Sequence, residues 1–298
     1  MSSIALSSLA WRERAPMPLP RAGYIAGVVG KTLALAGGSY WEGDRKLWSA
    51  RTDFFDPARN EWRPGPALPA PRSDAACVVL GDALYVFGGG ANGAVTSSAL
   101  RLRDGAWEAL PYGLPAPRLY PVAAAIGDTI YVLGGLSKAG DYGSADRTMW
   151  ARERGAWKTM PPLPGPARFS QALAAAGGKL YLFGGATTEG GALRNLDDAW
   201  EYDPAAGTWR ELPRLPVARR AWWAVPDGAR ILLLGGYTSD FASEIFSFDP
   251  QAKTLSTAGS LPHALADAKF FVIGKRLVGA GGESGNRIRG IWTLEAGL

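Results

Sequence analysis

The sequence predicts an all-β protein in which six four-stranded antiparallel sheets stand in a ring around an axis. Three observations predict it. A diglycine closing an apolar run recurs six times, at 37–38, 88–89, 134–135, 184–185, 235–236 and 281–282, with intervals of 51, 46, 50, 51 and 46 residues. An arginine stands sixteen residues before the first glycine in five copies: Arg21, Arg72, Arg118, Arg168 and Arg219. A tryptophan precedes that arginine by ten or eleven residues: Trp11, Trp62, Trp107, Trp157 and Trp209. Three markers in one phase define a repeat of roughly fifty residues. The sixth copy has Leu265 and Leu255 at the arginine and tryptophan positions.

Each repeat divides into four strands. The first follows the arginine, as in residues 75–80, and ends at a Gly-Asp turn such as Gly81-Asp82 or Gly127-Asp128. The second is the apolar run before the diglycine, as in residues 84–87. The third carries aromatics, as in residues 198–203, and the fourth holds the marker tryptophan, as in residues 208–212. Short strands punctuated by turn residues favour antiparallel pairing. One such sheet per period, packed radially, is a blade of a β-propeller.

The chain ends predict how the ring closes. A sixth tryptophan, counted from Gly282 at the observed spacing of 18 to 24 residues, falls at or beyond position 300, past Leu298. The tail therefore supplies three strands, the last at residues 290–294. Residues 9–13, around Trp11, are left as an orphan fourth strand. Pairing the two covers sheet edges that otherwise invite aggregation. It also makes residues 1–298 one domain.

Composition narrows the function classes. One cysteine, Cys77, and one histidine, His263, leave little for a zinc site of the usual kind, and Cys77 reads as a buried, inert thiol. No cofactor is called for. The net charge is +5, but no Lys/Arg block reaches five residues, so nucleic acid is not an expected partner. No apolar run is long enough for a membrane helix. The first ten residues lack a basic, apolar leader, so a cytoplasmic location is expected. The diglycines allow positive φ and close backbone approach. The marker tryptophans are expected to fill the space between blades, and the marker arginines to bond backbone carbonyls between blades.

The diglycine after an apolar strand, the spaced Tyr and Trp, and the period near fifty together resemble kelch repeats from Trp11 to Leu294. The resemblance implies a six-bladed propeller with a central channel. It implies no chemistry by itself, because fold and function separate. In such a propeller the residues after each diglycine surround one mouth of the channel; here they are Ser39, Gly90, Leu136, Ala186, Tyr237 and Glu283. In proteins resembling this one, the position two past the arginine also faces the pocket; here it is Gly23, Asp74, Tyr120, Ser170, Ala221 and Asp267. These positions break the repeat, as a site grafted on a repeat should.

The sixth blade departs most. Its loop, residues 281–289, carries Glu283, Arg287 and Arg289. It resembles the loop of bacterial sialic acid mutarotases, six-bladed kelch propellers that isomerise an acidic sugar. That resemblance implies Glu283 as the base that shuttles the anomeric proton and Arg289 as the anchor of the sugar carboxylate. Arg287, Tyr237, Tyr120, Asp74, Asp267 and Trp41 complete the expected ligand contacts, and His263 is a further acid/base candidate. The readings are a cofactor-free mutarotase- or epimerase-like isomerase, a non-catalytic protein-interaction propeller, and another small-molecule lyase or oxidase on the same scaffold.

Overall fold

In the computed structural model, which describes residues 10–285, 288–289 and 292–297, six four-stranded antiparallel sheets form the ring. Blade 1 comprises Ile25–Val29, Thr32–Ala36, Thr52–Asp56 and Glu61–Pro64. Blades 2 to 5 repeat the order, each with its first strand innermost: Ala76–Leu80, Val122–Ile126, Ala172–Ala176 and Trp223–Asp227. Blade 6 takes Lys269–Ile273, Arg276–Ala280 and Thr293–Gly297 from the tail, and its outer strand Trp11–Glu13 from the head of the chain. The closing register sets Trp11 opposite Ala296 and Glu13 opposite Leu294. The expected closure is therefore observed, with the third strand running to Gly297 instead of stopping at Leu294. Each inner strand packs against the inner strands on both sides, including that of blade 6 against blade 1.

The apolar core is divided among the blade interfaces. Blades 6 and 1 share Tyr24, Leu35, Phe55, Val278 and Ala280, all buried. Five comparable clusters fill the other interfaces. The marker tryptophans sit in these seams as expected. The indole of Trp107 donates to Thr52 Oγ1 of blade 1 at 3.0 Å, and that of Trp62 donates to the Ala15 carbonyl beside blade 6 at 2.9 Å. An indole that buries its ring and still places its N–H gains both transfer energy and a hydrogen bond.

The diglycines have a definite steric cause. The N–H of each second glycine donates to the carbonyl of the arginine position in the next blade, for example Gly89 to Arg118 at 2.7 Å and Gly236 to Leu265 at 2.7 Å. All six interfaces make this bond. The carbonyl then lies where a Cβ on the first glycine would stand, 2.1 Å away for Gly37 and 2.4 Å for Gly235. Both glycines of every pair have positive φ.

The arginines correct one expectation. They are structural, but their side chains bond within their own blades. Arg168, fully buried, donates to the Gly184 carbonyl at 3.0 Å and forks onto both oxygens of Asp198 at 2.6 Å. Arg219 donates to the Gly235 carbonyl and to one oxygen of Glu244, each at 3.0 Å, and Arg21 is paired with Asp53 at 2.6 Å. A buried guanidinium needs a carboxylate nearby, and the entry to the third strand of the same blade supplies it. Among the described residues no helix is long and apolar enough to cross a membrane.

Candidate functional site

The residue after each arginine position pairs by an antiparallel bridge with the residue after the diglycine of the same blade: Ala22 with Ser39, Ser73 with Gly90, Leu119 with Leu136, Phe169 with Ala186, Arg220 with Tyr237, and Ala266 with Glu283. The next residue then turns into the left-handed region in all six blades. Its φ is 63° at Gly23, 57° at Asp74, 58° at Tyr120, 52° at Ser170, 54° at Ala221 and 55° at Asp267. Only one of the six is glycine, and left-handed backbone costs other residues about 1–2 kcal/mol each. Interblade hydrogen bonds hold the turns: Asp74 N–H to the Gly23 carbonyl at 2.7 Å, then Tyr120 to Asp74, Ala221 to Ser170 and Asp267 to Ala221, each at 2.8 Å.

All six of these residues line one cavity of about 80 Å³ in the channel. That is room for a few waters or one small substituent. Four of them, Tyr120, Ser170, Ala221 and Asp267, also line a wider bowl of about 440 Å³ that opens toward the diglycine loops. The bowl is large enough for a small-molecule ligand.

The structure brings most of the expected residues together. Trp41, Tyr120, Tyr237, Asp267 and Glu283 line the bowl, and Asp74 lines the cavity beneath. Glu283 stands in a short hairpin strand, Glu283–Gly285, register-paired with Arg289. The Arg289 side chain and all of Arg287 lie outside the described residues. Two expectations need correction. Ser39, Gly90, Leu136 and Ala186 are buried at their bridges, so among the post-diglycine residues only Tyr237 and Glu283 line the bowl. His263 lies at the ring closure, with Nε2 2.6 Å from Glu13 Oε1 and its ring stacked on Trp292 at 4.2 Å. The cause is its place in the link between blades 5 and 6, on the outer seam.

The electrostatics of the floor follow from burial. The Asp74 carboxyl touches the cavity but lies deep in the channel. Desolvation, reinforced by the charge of Asp267, pushes its pKa up to about 6, although Ser73 Oγ donates to it at 2.8 Å. The Tyr120 phenol is held well above its ordinary value by the Asp74 charge, then by burial and by Asp267, Tyr142 and Glu283. One protonated phenol thus stands among three carboxyl groups. Lys269 Nζ lies 3.8 Å from Cys77 Sγ and over the rings of Trp223 and Tyr24, at 5.1 and 5.6 Å. Cys77 is buried, as expected, but its strand also lines the cavity.

Sequence reasoning passed over Arg220, Tyr142, Phe169 and Phe241 in the bowl, and Lys269 and Gln171 below it. Tyr142 stacks on Phe169 at 5.2 Å, and Phe241 meets Tyr237 edge-on at 5.2 Å, so the rim is aromatic on two sides. Only Arg220 left a readable signal: it is the one charged residue at a position filled elsewhere by Ala22, Ser73, Leu119, Phe169 and Ala266. Among the described residues no group of three or more His, Cys, Asp or Glu side chains is arranged to hold a metal ion.

Six blades of one strand order around a channel lined by unlike side chains define a propeller with a ligand-sized axial site. The chain belongs to the kelch-repeat family: the model of the KLHDC2/KLHL20/DRC7 Kelch-repeats domain matches residues 122–296, and the Kelch motif matches residues 71–111. Kelch-like protein 33 of Homo sapiens is 40% identical over 80 residues, which is 26% of this chain and 14% of that protein. The chain thus spans a small part of the curated relative it matches. The structure of YjhT superposes with a TM-score of 0.77, covering 93% of this chain and 95% of that one at 16% identity, a likeness of fold.

Proposed function

We propose that the bowl binds a polar, hydroxyl-rich small molecule and that the protein is a cofactor-free, mutarotase-like sugar isomerase. The observation that carries this reading is the convergence of Asp74, Tyr120, Asp267 and Glu283 under an aromatic rim. Aromatic faces stack on the apolar face of a sugar ring, and carboxyl groups exchange protons with its hydroxyls. Glu283 takes the proton of the anomeric hydroxyl as the bond between the anomeric carbon and the ring oxygen breaks. The ring oxygen receives a proton from a protonated group on the floor. The open carbonyl form rotates, and the reverse transfers close the ring on its other face. No net electron or atom is gained. The sequence resemblance implies Arg289, register partner of Glu283, as one anion-binding arginine of the site.

Anomer exchange followed by NMR over a panel of neutral and acidic sugars tests the reading. Glu283→Gln should slow exchange by at least about 10²-fold, the usual worth of a positioned base, without lowering the melting temperature. Unchanged exchange in that variant rejects Glu283 as the base.

One observation favours a second reading, a protein-binding propeller. The exposed large hydrophobic residues among those described are Tyr142 and Leu193, at 46% and 42%, and both line the bowl. A partner that inserts a side chain into the bowl would cover them. Pull-down of one stoichiometric partner, lost in Tyr142→Ser, supports that alternative.

A further inference from the structure

We propose that Arg220 is a ligand-binding residue that takes the carboxylate of an acidic small molecule in the bowl. The assignment rests on the small-molecule reading above for the ligand class, but its own evidence is separate. The position one past the marker arginine is scaffold in the other five blades: Ala22, Ser73, Leu119, Phe169 and Ala266 are all buried there, in the bridge to the post-diglycine residue. Blade 5 alone places a guanidinium at this point. Packing does not require it, since the same bridge forms with alanine in blades 1 and 6.

The guanidinium is held ready. Its Cζ lies over the Tyr237 ring, 4.3 Å from the centroid, and Nη1 donates to Asn195 Oδ1 at 2.6 Å. Asn195 is itself fixed from the neighbouring blade, its Nδ2 donating to the carbonyls of Tyr237 and Thr238 at 3.1 and 2.8 Å. Those two bonds dictate the amide orientation and so present the oxygen to Arg220. Among the described residues, no carboxylate lies within ion-pair distance of Arg220. An arginine set over a ring, pinned by an oriented amide and, among the described residues, without a carboxylate counter-ion in a ligand-sized bowl is pre-organised for a planar anion. The planar fork of the guanidinium matches the two coplanar oxygens of a carboxylate, which identifies the ligand group as a carboxylate.

The test compares N-acetylneuraminate and glucuronate, each against its own methyl ester, by isothermal titration of the full chain. The wild type should prefer at least one acid over its ester by about tenfold or more, the usual worth of a charged hydrogen-bonded contact. Arg220→Met keeps the stem over Tyr237 and should lose at least tenfold in acid affinity while the ester changes less than twofold. Asn195→Ala, acting through the orientation of Arg220, should erode the same preference and leave ester binding alone. Melting temperatures verify that each variant is folded. An Arg220→Met protein that binds the acids within twofold of the wild type overturns the assignment, as does a wild type that prefers neither acid. Either outcome leaves Glu283-dependent anomer exchange of neutral sugars untouched. Acid-selective binding without anomer exchange removes the isomerase reading and keeps the anchor.

Discussion

The carbonyl of Arg219 lies 2.4 Å from the point where a Cβ on Gly184 would stand, and the N–H of the adjacent Gly185 holds that carbonyl at 2.9 Å. A side chain at Gly184 would have to push one blade off the next. Gly184 also has a φ of 51°, so alanine there carries backbone strain as well as the clash. Gly184→Ala should therefore destabilise by about 2–4 kcal/mol, read by urea unfolding. Gly155→Ala is the control: it has positive φ but nothing within 4 Å of its Cβ, and should cost only the strain.

The Arg168–Asp198 fork predicts a larger loss and a pH signature. Burial opposes ionisation of Asp198, but the hydrogen bonds and charge of Arg168 outweigh it and hold the carboxyl below its ordinary range. Removing one partner leaves a buried charge alone, so Asp198→Ala should cost about 3–5 kcal/mol. Because the folded pKa is lowered, this stability is complete above the unfolded value and is lost as pH falls through the folded one. Glu201, drawn down to about 2 by Lys253 and Lys179 against the opposing effect of burial, acts in the same direction. Wild-type stability should thus fall steeply below about pH 4, the ordinary carboxylate value, and the slope should be shallower in Asp198→Asn.

These two cases show what was legible in the sequence. The diglycine, arginine and tryptophan each solve one steric or burial problem that recurs at every blade interface, so they repeat and can be counted. The carboxylates that pair with four of the five arginines lie 32, 28, 30 and 25 residues downstream, for Asp53, Asp146, Asp198 and Glu244, while Arg72 bonds Ser98. Loops of unequal length intervene, and the spacing hides the pairing. The site was legible where it broke the repeat at counted positions, as at Asp74, Tyr120, Asp267 and Glu283. Tyr142 and Phe241 reach the bowl from the connections between the diglycine and the third strand, which differ in length and shape from blade to blade, so no phase pointed to them. Lys269 belongs to an inner strand, where only the folded ring shows that its amine crosses to Cys77 of blade 2.

The remaining prediction concerns Asp74 and has the opposite sign from Asp198. Its folded pKa, near 6, stands above the unfolded value because burial and the Asp267 charge oppose ionisation. The folded state therefore binds the proton more tightly, and its stability declines as pH rises from about 4 through 6. Asp74→Asn keeps the shape and removes the charge. At pH 7.5 it should be more stable than the wild type by on the order of 1–2 kcal/mol, after allowance for the contact of Asp74 with the cavity. At pH 4.5, where Asp74 is neutral in the folded wild type, the two should be nearly equal. Urea unfolding of both proteins at the two pH values decides it. A stability difference that does not grow with pH would mean that Asp74 is already ionised at pH 4.5 and cannot serve as the proton reservoir on the channel floor.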